Sequence, residues 1–509
     1  MTTAPYGLLR LFSLASLVAL ASAAFGDAQR LASNTLEQVV EQGMKDWQIP
    51  GLGLALFEDG RVSYAKGFGT TAIDDGTRVD LQTFFINAST TKAMVAAGLL
   101  ILVDEGRVAL DDRLIDHLPN IHFADPALTA EVSVRDLLTH RTGLPSTDFW
   151  TFNQGLPIHD QLPLLRAVQP VAGLRERKIY QNTMYELVGL LIEHLSGKRW
   201  HEFVDERLWN PIGMKTVGTR DAIPDGANQA APYGVFDGQL RAMNHSLRDE
   251  VSDAAGSAWS TIDDMVLWVE FLLRGGVTED GERLLSEAAL EEMFAPQQLV
   301  APANYYPTSA LTKPHWISYG LGWYQQDFQG RKIDYHTGSL NGATAIVGLD
   351  RENGRGMVML ANRDGAEIRH ALLWDAMDLT TGPERLDWHD AVRTLYSERA
   401  ERRAKRRAQL EAGRLNVPPS LPLAAYSGSY HSPTGGTIQL RVDERGLRLD
   451  TGVRRYRLTP WHSDTFELMH EDWHRSSFAR FSLSPGGSID ALDAFGHDFE
   501  PARAEANGD

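Results

Sequence analysis

The sequence predicts an α/β (α+β) protein: a mainly antiparallel sheet flanked by helices, a helical subdomain, and a small C-terminal β-barrel. Three observations lead to this prediction. A helix and a hairpin open the chain, a long helical and loop-rich stretch follows, and strand patterns return after residue 330. Beyond residue 420, short strand-like runs alternate with turn residues, as is typical of a small barrel or sandwich.

The first elements follow from periodicity and turn residues. Residues 33–48 place apolar side chains at helical spacing after a Ser-Asn cap. The next two runs, 51–57 and 61–69, are joined by Glu58-Asp59-Gly60 and predict a β-hairpin. Residues 93–103 are apolar throughout and rich in alanine, so they predict a helix buried on every side rather than a strand.

The remaining strands come late in the chain. Strand patterns at 331–335, 343–349 and 356–362 complete the expected sheet, and five further runs between 421 and 503 predict the small β-domain. We therefore expect the chain to divide into residues 1–23 (signal peptide), 24–385 (main domain), 386–420 (charged helical linker) and 421–509 (β-domain).

Composition excludes several classes of protein. The 509 residues carry 49 Lys+Arg against 67 Asp+Glu, for a formal charge of −18, and 43% are hydrophobic. That apolar content is ordinary for a globular protein, and the acidic balance argues against a nucleic-acid partner. The basic cluster at 398–407 favours a solvated helix over a patch for nucleic acid or anionic lipid. The absence of cysteine excludes disulfides, thiolate metal ligands and thiol nucleophiles.

The N-terminus has the pattern of an export signal. Arg10 precedes the apolar run 11–21, and Ala21-Ser22-Ala23 supplies the small residues before a cleavage site. The alternative, an uncleaved anchor or buried helix, fits less well because a bilayer needs about 20 apolar residues. We therefore predict a periplasmic or secreted protein without a stable membrane span once the signal is removed.

The Ser-x-x-Lys pattern occurs twice, and only one of the two occurrences places its serine and lysine close enough to react. Ser63 and Lys66 lie in a predicted strand, where residues three apart point to opposite faces. Ser89 and Lys92 open the buried helix, where the same spacing puts them on one face. Burial lowers the pKa of a lysine until it can take a proton from serine, and a helix N-terminus stabilises an oxyanion. The alternative is that Ser89 merely caps the helix.

Two later segments decide between these interpretations. Tyr180-Gln181-Asn182 precedes an amphipathic helix, and His336-Thr337-Gly338-Ser339 ends a strand. With Ser89-Thr90-Thr91-Lys92, the sequence resembles the serine β-lactamase and penicillin-binding-protein superfamily, in the branch of class C β-lactamases, D-aminopeptidases, D,D-carboxypeptidases and related esterases. The resemblance covers about residues 30–380 and implies a β-lactamase-like fold. Four further segments support it: 84–88, 137–145, 210–214 and 257–261.

The resemblance also implies the roles of the site residues. Ser89 is expected to be the acylated nucleophile, and Lys92 and Tyr180 are expected to share its proton, with the tyrosine as base. Asn182 is expected to bind the amide carbonyl of the substrate. This chemistry needs neither a metal nor a cofactor.

The strand triplet His336-Thr337-Gly338 is expected to form the opposite side of the cleft. The resemblance implies that the backbone N–H groups of Ser89 and Ser339 bind the oxyanion. It places His336 across from Ser89, where it is expected to donate hydrogen bonds and a positive charge.

The sequence leaves the substrate open. A histidine at position 336, where class C β-lactamases carry lysine, favours a peptidase or amidase for small or D-amino-acid-containing peptides. A carboxylesterase or β-lactamase of the same family is the alternative, and a protein that binds an acyl group without turnover is the second. The segments 423–430 and 461–466 resemble an appended lipocalin-like β-domain, expected to limit access or to support a homo-oligomer.

Overall fold

The computed structural model describes residues 35–243, 253–471 and 476–502. The predicted signal peptide lies outside them. Contacts divide the chain into two units, residues 1–48 and 49–509. In the first unit the described residues form one helix, α1, at 35–46, which agrees with the predicted helix. Every other element belongs to the second unit.

The helices after α1 are α2 Thr91–Asp104, α3 Leu114–His117, α4 Pro126–Glu131, α5 Val134–Leu138, α6 Ile158–Gln161, α7 Asn182–Ser196, α8 Trp200–Val204, α9 Asn210–Ile212, α10 Asp253–Gly256, α11 Ile262–Leu273, α12 Glu287–Phe294, α13 Ser309–Thr312, α14 Ile368–Met377 and α15 Trp388–Ala412. The strands are β1 Gly51–Glu58, β2 Arg61–Gly69, β3 Phe85–Ile86, β4 Tyr233–Phe236, β5 Gln239–Ala242, β6 Trp259–Ser260, β7 Gln298–Leu299, β8 Ile317–Tyr319, β9 Tyr324–Phe328, β10 Arg331–Leu340, β11 Ala343–Asp350, β12 Arg355–Ala361, β13 Gly428–Ser432, β14 Gly436–Asp443, β15 Gly446–Asp450, β16 Arg455–His462, β17 Thr465–His470, β18 Ser476–Leu483, β19 Ile489–Ala494 and β20 His497–Pro501.

An eight-stranded antiparallel sheet forms the centre of the larger domain, in the order β2-β1-β12-β11-β10-β9-β8-β7. The hairpin β1–β2 and the late strands β10 to β12 confirm the predicted sheet. The sequence analysis missed β8 and β9, because β8 has three residues and β9 carries Gln-Gln-Asp in place of an alternating pattern. Gln325 and Gln326 are buried, and Gln325 Oε1 accepts from Ser318 Oγ on β8 at 2.8 Å.

Helix α2 lies in the interior, and every residue from Thr91 to Leu102 is buried. This confirms the prediction of a helix that is buried on every side. It also places Lys92 in the core, where lysine is seldom found. The predicted middle is mostly helical and rich in loops, and it also contains a short hairpin, β4–β5, that the sequence did not indicate.

The C-terminal strands β13 to β20 close into an antiparallel barrel, which confirms the predicted β-domain. Its strands alternate in burial, as β17 shows at Phe466, Leu468 and His470. Helix α15 precedes the barrel. Trp388 and Val392 are its buried residues, whereas residues 398–406 are exposed, so the basic cluster lies on a solvated part of the helix. Among the described residues, no helix combines the length and apolarity needed to cross a membrane.

Candidate active site

The first Ser-x-x-Lys serine, Ser63, lies on β2, whereas Ser89 lies in a 3-10 turn, Ala88–Thr90, directly before α2. Ala88 has a φ of +46°, a left-handed conformation that costs a non-glycine residue on the order of 1 kcal/mol. The N-cap of α2 is Thr90, and no side-chain capping bond forms there. The geometry therefore does not use Ser89 as a helix cap and leaves its hydroxyl on the cavity wall.

Lys92 is buried beside this hydroxyl, with its Nζ atom 3.3 Å from Ser89 Oγ. The same nitrogen donates to Asn182 Oδ1 at 2.7 Å and to the carbonyl of Ala255 at 2.6 Å. A neutral amine has two N–H groups and one lone pair, so these two acceptors leave the lone pair for the serine proton. The arrangement matches what a general base for Ser89 requires.

Burial also puts the pKa of Lys92 near the working range of such a base. Desolvation lowers the pKa of its amine from 10.5 to about 7, and the carboxylates of Glu186 and Asp148 oppose this change. Near neutral pH a large share of Lys92 is therefore uncharged and able to accept a proton.

Glu186 lies one turn after Asn182 on α7 and is buried behind Lys92. Its carboxylate accepts from the backbone N–H groups of Ala254 and Ala255 at 3.0 and 3.2 Å. The carbonyl of Ala255 in turn accepts from Lys92, so Glu186 fixes the short helix α10 that holds the lysine. Burial and the neighbouring Asp253 raise the pKa of Glu186 to about 8.

Replacing Glu186 with glutamine should move the acid limb of the kcat/KM profile to lower pH. Only the ionised form of Glu186 raises the pKa of Lys92, and a pKa of about 8 keeps much of Glu186 protonated at neutral pH, so its removal should leave the lysine neutral at lower pH by a fraction of a pH unit. The check is the pH dependence of turnover, with Glu193→Gln as the matched control, because Glu193 lies on the same helix but pairs with Arg199. An unshifted limb would show that Glu186 does not act on Lys92.

Tyr180 covers Lys92 from the cavity side and is half-buried. The Nζ atoms of Lys92 and Lys178 lie 5.0 and 4.9 Å from its ring centre. Burial nevertheless raises the pKa of the phenol well above its usual value, and the hydrogen bond with Ser89 opposes this only in part. A tyrosine base needs a lowered pKa, which the structure does not provide. The geometry favours Lys92 as the base and a neutral Tyr180 that passes on the proton.

Asn182 connects Lys92 to the cavity through both ends of its amide. Oδ1 accepts from Lys92, and Nδ2 donates to Asp148 Oδ1 at 2.9 Å. An amide nitrogen carries two N–H groups, so one remains for the carbonyl of a substrate, as the resemblance implied. Asp148 lines the same cavity and thereby places a carboxylate beside the bound substrate.

His336 lies on β10 at the cavity wall, across from Ser89, and its surroundings disfavour the positive charge that the resemblance allowed. Burial, reinforced by Lys92, lowers the pKa of its imidazole to about 3, so the ring is neutral at physiological pH. Nδ1 contacts the carbonyl of Thr337 at 2.7 Å and is therefore the protonated nitrogen. Nε2 then accepts from Tyr319, 3.0 Å away. His336 contributes hydrogen bonding and shape rather than charge.

The end of β10 passes very close to the nucleophile turn. A Cβ atom on Gly338 would lie 2.3 Å from the carbonyl oxygen of Asn87, so only glycine allows this approach. Ser339 follows at the cavity edge, where its Oγ accepts from Arg369 at 2.8 Å. Thr337 bonds to Tyr306 at 2.7 Å. These contacts bring Ser339 and Ser89 to the same cavity, as two oxyanion donors require.

The cavity has a volume of about 300 Å³. All the site residues named from the sequence line it except Lys92, which lies beneath Ser89, and Gly338, which packs against the turn. Three further aromatic side chains also line it; they are Phe152, Tyr306 and Tyr324. The space suits a small amide or ester whose carbonyl reaches Ser89.

Sequence reasoning missed Asp148, Phe152, Tyr306 and the buried Lys178. Lys178 donates to Tyr324 at 2.7 Å and is enclosed by three tyrosine rings. It stands two residues before Tyr180, and this closeness to a predicted site residue could have identified Lys178 from the sequence. Asp148 and Tyr306 lie in loop-rich stretches without periodicity, and only the folded chain brings them to the cavity.

Comparisons with known proteins match both parts of the chain. A family model described as Beta-lactamase matches residues 36–381, and one described as a domain of unknown function, DUF3471, matches residues 414–509. The unguisins hydrolase ungD of Aspergillus violaceofuscus is 25% identical over 503 residues, which cover 89% of this chain and 86% of that protein.

Two solved structures share the fold. The octameric penicillin-binding protein homologue from Pyrococcus abyssi aligns with a TM-score of 0.60 and 22% identity, over 92% of this chain and 99% of that chain. A D-stereospecific amidohydrolase from Streptomyces sp. aligns with a TM-score of 0.50 and 24% identity, over 62% of this chain and 90% of that chain.

Proposed function

The chain belongs to the Beta-lactamase family of serine hydrolases, and from this premise we propose that it is an amidase or peptidase for small or D-amino-acid-containing peptides. The observation that carries the proposal is the position of Lys92. Its two N–H groups have acceptors in Asn182 and Ala255, and its remaining lone pair faces Ser89.

The proposed reaction has two halves. Ser89 Oγ attacks the carbonyl carbon while Lys92 takes the hydroxyl proton, and the backbone N–H groups of Ser89 and Ser339 bind the oxyanion. The tetrahedral intermediate collapses to the acyl-enzyme, and the leaving amine receives a proton through Tyr180. Water then attacks the ester while the same groups take one of its protons, that proton passes to Ser89 Oγ as the ester bond breaks, and the acid is released.

The charge of the cleft supports a peptide over an anionic substrate. Asp148 lies on the cavity wall, whereas burial favours the neutral forms of His336 and Lys92. A carboxylate there attracts the ammonium group of an unblocked amino acid and repels the carboxylate of a β-lactam. One solved relative is described as a D-stereospecific amidohydrolase, which supports amide chemistry, and the relative ungD is named a hydrolase.

A comparison of p-nitroanilides with p-nitrophenyl esters tests the proposal. We expect turnover of D-amino-acid anilides, faster with a free amine than with an N-acetyl group, and a Ser89 acyl adduct visible by mass spectrometry. Ester turnover without amide turnover would reject the amidase and favour the esterase. One equivalent of adduct without turnover would favour an acyl-binding protein.

We also propose export and self-assembly, which the sequence led us to expect. N-terminal sequencing of protein from the periplasm or medium should begin near Ala24. Recovery of the protein from the cytoplasm alone would contradict export, and a retained Met1 would contradict cleavage. One solved relative is described as octameric, which supports testing for a homo-oligomer by light scattering. A monomeric mass across concentrations would reject it.

A further inference from the structure

One wall of the catalytic cavity is formed by residues 148–154, here called the cleft wall. Asp148 begins it, and Trp150–Gln154 forms a single π-helical turn. The Asp148 and Phe152 side chains line the cavity beside Ser89. This segment is irregular in structure, so its position depends on what it packs against.

The C-terminal barrel supplies that support through six hydrogen bonds. They join side chains or carbonyls of the cleft wall to loops and strands of the barrel. The pairs are Trp150 Nε1 to Thr434 O (2.6 Å), Arg454 Nε to Phe152 O (2.9 Å), Asn153 Nδ2 to Tyr456 Oη (2.6 Å), Thr451 Oγ1 to Asn153 O (2.6 Å), Val453 N to Asn153 O (3.2 Å) and Gln154 Nε2 to Gly435 O (2.6 Å).

Packing reinforces the same contact. The ring of Phe149 lies 4.9 Å from that of Phe495 and 6.3 Å from that of Phe499. At the end of the cleft wall, a Cβ atom on Gly155 would lie 2.6 Å from Val453 Cγ1. Trp150 and Arg454 are both buried in this contact. The cleft wall is therefore packed between the catalytic domain and the barrel.

We propose that the barrel is a specificity element of the active site, in which Arg454 and Tyr456 are positioning residues that hold Phe152 and Asp148 at the cavity. The inference rests on the proposed hydrolase function for its kinetic consequence, but the contact itself is independent of that function. Arg454 holds the carbonyl of Phe152, whose side chain faces the substrate. Loss of this support lets the wall move, which affects substrates that reach it more than the chemistry at Ser89.

The test uses the full-length chain with Arg454→Met and Tyr456→Phe. Tyr430→Phe is the matched control, because its hydroxyl bonds to the Tyr426 carbonyl at 2.9 Å within the barrel. Three quantities are measured: hydrogen exchange of residues 148–156, the labelling rate of Ser89 by a small fluorophosphonate, and KM for single-residue and tripeptide anilides. Thermal unfolding of each variant checks that stability losses are comparable.

We expect faster exchange in both positioning variants, labelling within about twofold of wild type, and a KM for the tripeptide raised on the order of tenfold. Tyr430→Phe should change none of these. Phe152→Ala should reproduce the KM change. Unchanged exchange and an unchanged KM ratio in an active enzyme would overturn the inference and leave the proposed function intact. Absence of Ser89 labelling in wild type would instead refute the proposed function. The hydrogen exchange of residues 148–156 would then be the measurement that shows whether the barrel holds the cleft wall in place.

Discussion

Replacing Ser89 with alanine is expected to abolish covalent labelling and to lower turnover by about 10³- to 10⁶-fold. The hydroxyl is the atom that forms the acyl-enzyme, and the remaining oxyanion donors and binding contacts account for the residual rate. Because the N-cap of α2 is Thr90, the substitution should leave thermal unfolding nearly unchanged. Fluorophosphonate labelling and anilide turnover measure the two effects.

The chain provides its own control for this experiment. Ser63→Ala removes the serine of the other Ser-x-x-Lys pattern, which lies on β2 and bonds to the Leu56 carbonyl. This variant should keep labelling and turnover at the wild-type level. Labelling of Ser89→Ala at the wild-type rate would refute Ser89 as the nucleophile, and a large loss of stability would instead favour a structural role.

Lys92→Met is expected to slow acylation by about 10³-fold, within the usual range for removal of a general base. Methionine keeps the length and apolar stem but leaves Asn182 Oδ1 and the Ala255 carbonyl without their donor. A stability loss of about 1–3 kcal/mol should accompany the change. Lys92→Arg should not restore the rate, because a guanidinium remains protonated.

The pH profile identifies the base more directly. The active form has a neutral Lys92, so wild-type kcat/KM should rise with pH through an apparent pKa of about 7 and level off above it. Lys92→Met should lose this rise of kcat/KM with pH. Lys66→Met, which changes the lysine of the Ser-x-x-Lys pattern on β2, should keep it. Burial also lowers the pKa of Lys178 to about 7. A limb that survives in Lys92→Met but disappears in Lys178→Met would assign the titration to Lys178 instead.

Local patterns were sufficient for the parts of the fold that have local causes. The continuous apolar run identified α2 as buried, and turn residues at 58–60 identified the first hairpin. Strands β8 and β9 escaped detection because their buried polar side chains, such as Gln325, are stabilised by partners from other elements. A sequence pattern cannot show such a partner before the chain has folded.

The same distinction applies to the site. Spacing on one helix turn brought Ser89 and Lys92 together, and the resemblance supplied Tyr180, Asn182 and His336. The protonation states depend on burial and on neighbours far along the chain, so the sequence alone could not show that burial lowers the pKa of His336. The acidic side of the cleft also came from long-range structure, since Asp148 meets Asn182 through the packing of two loop-flanked segments.

The order of strands in the large sheet has a consequence for how the protein is made. Strand β1 lies between β2 and β12, and the Gly51 backbone N–H donates to Asn362 Oδ1 across 311 residues of chain, at 2.7 Å. The sheet therefore cannot form until almost three quarters of the chain has left the ribosome, and such long-range pairing is slow. Until β12 has emerged, one edge of β1 has no partner strand, and exposed strand edges of this kind are where unfinished chains aggregate.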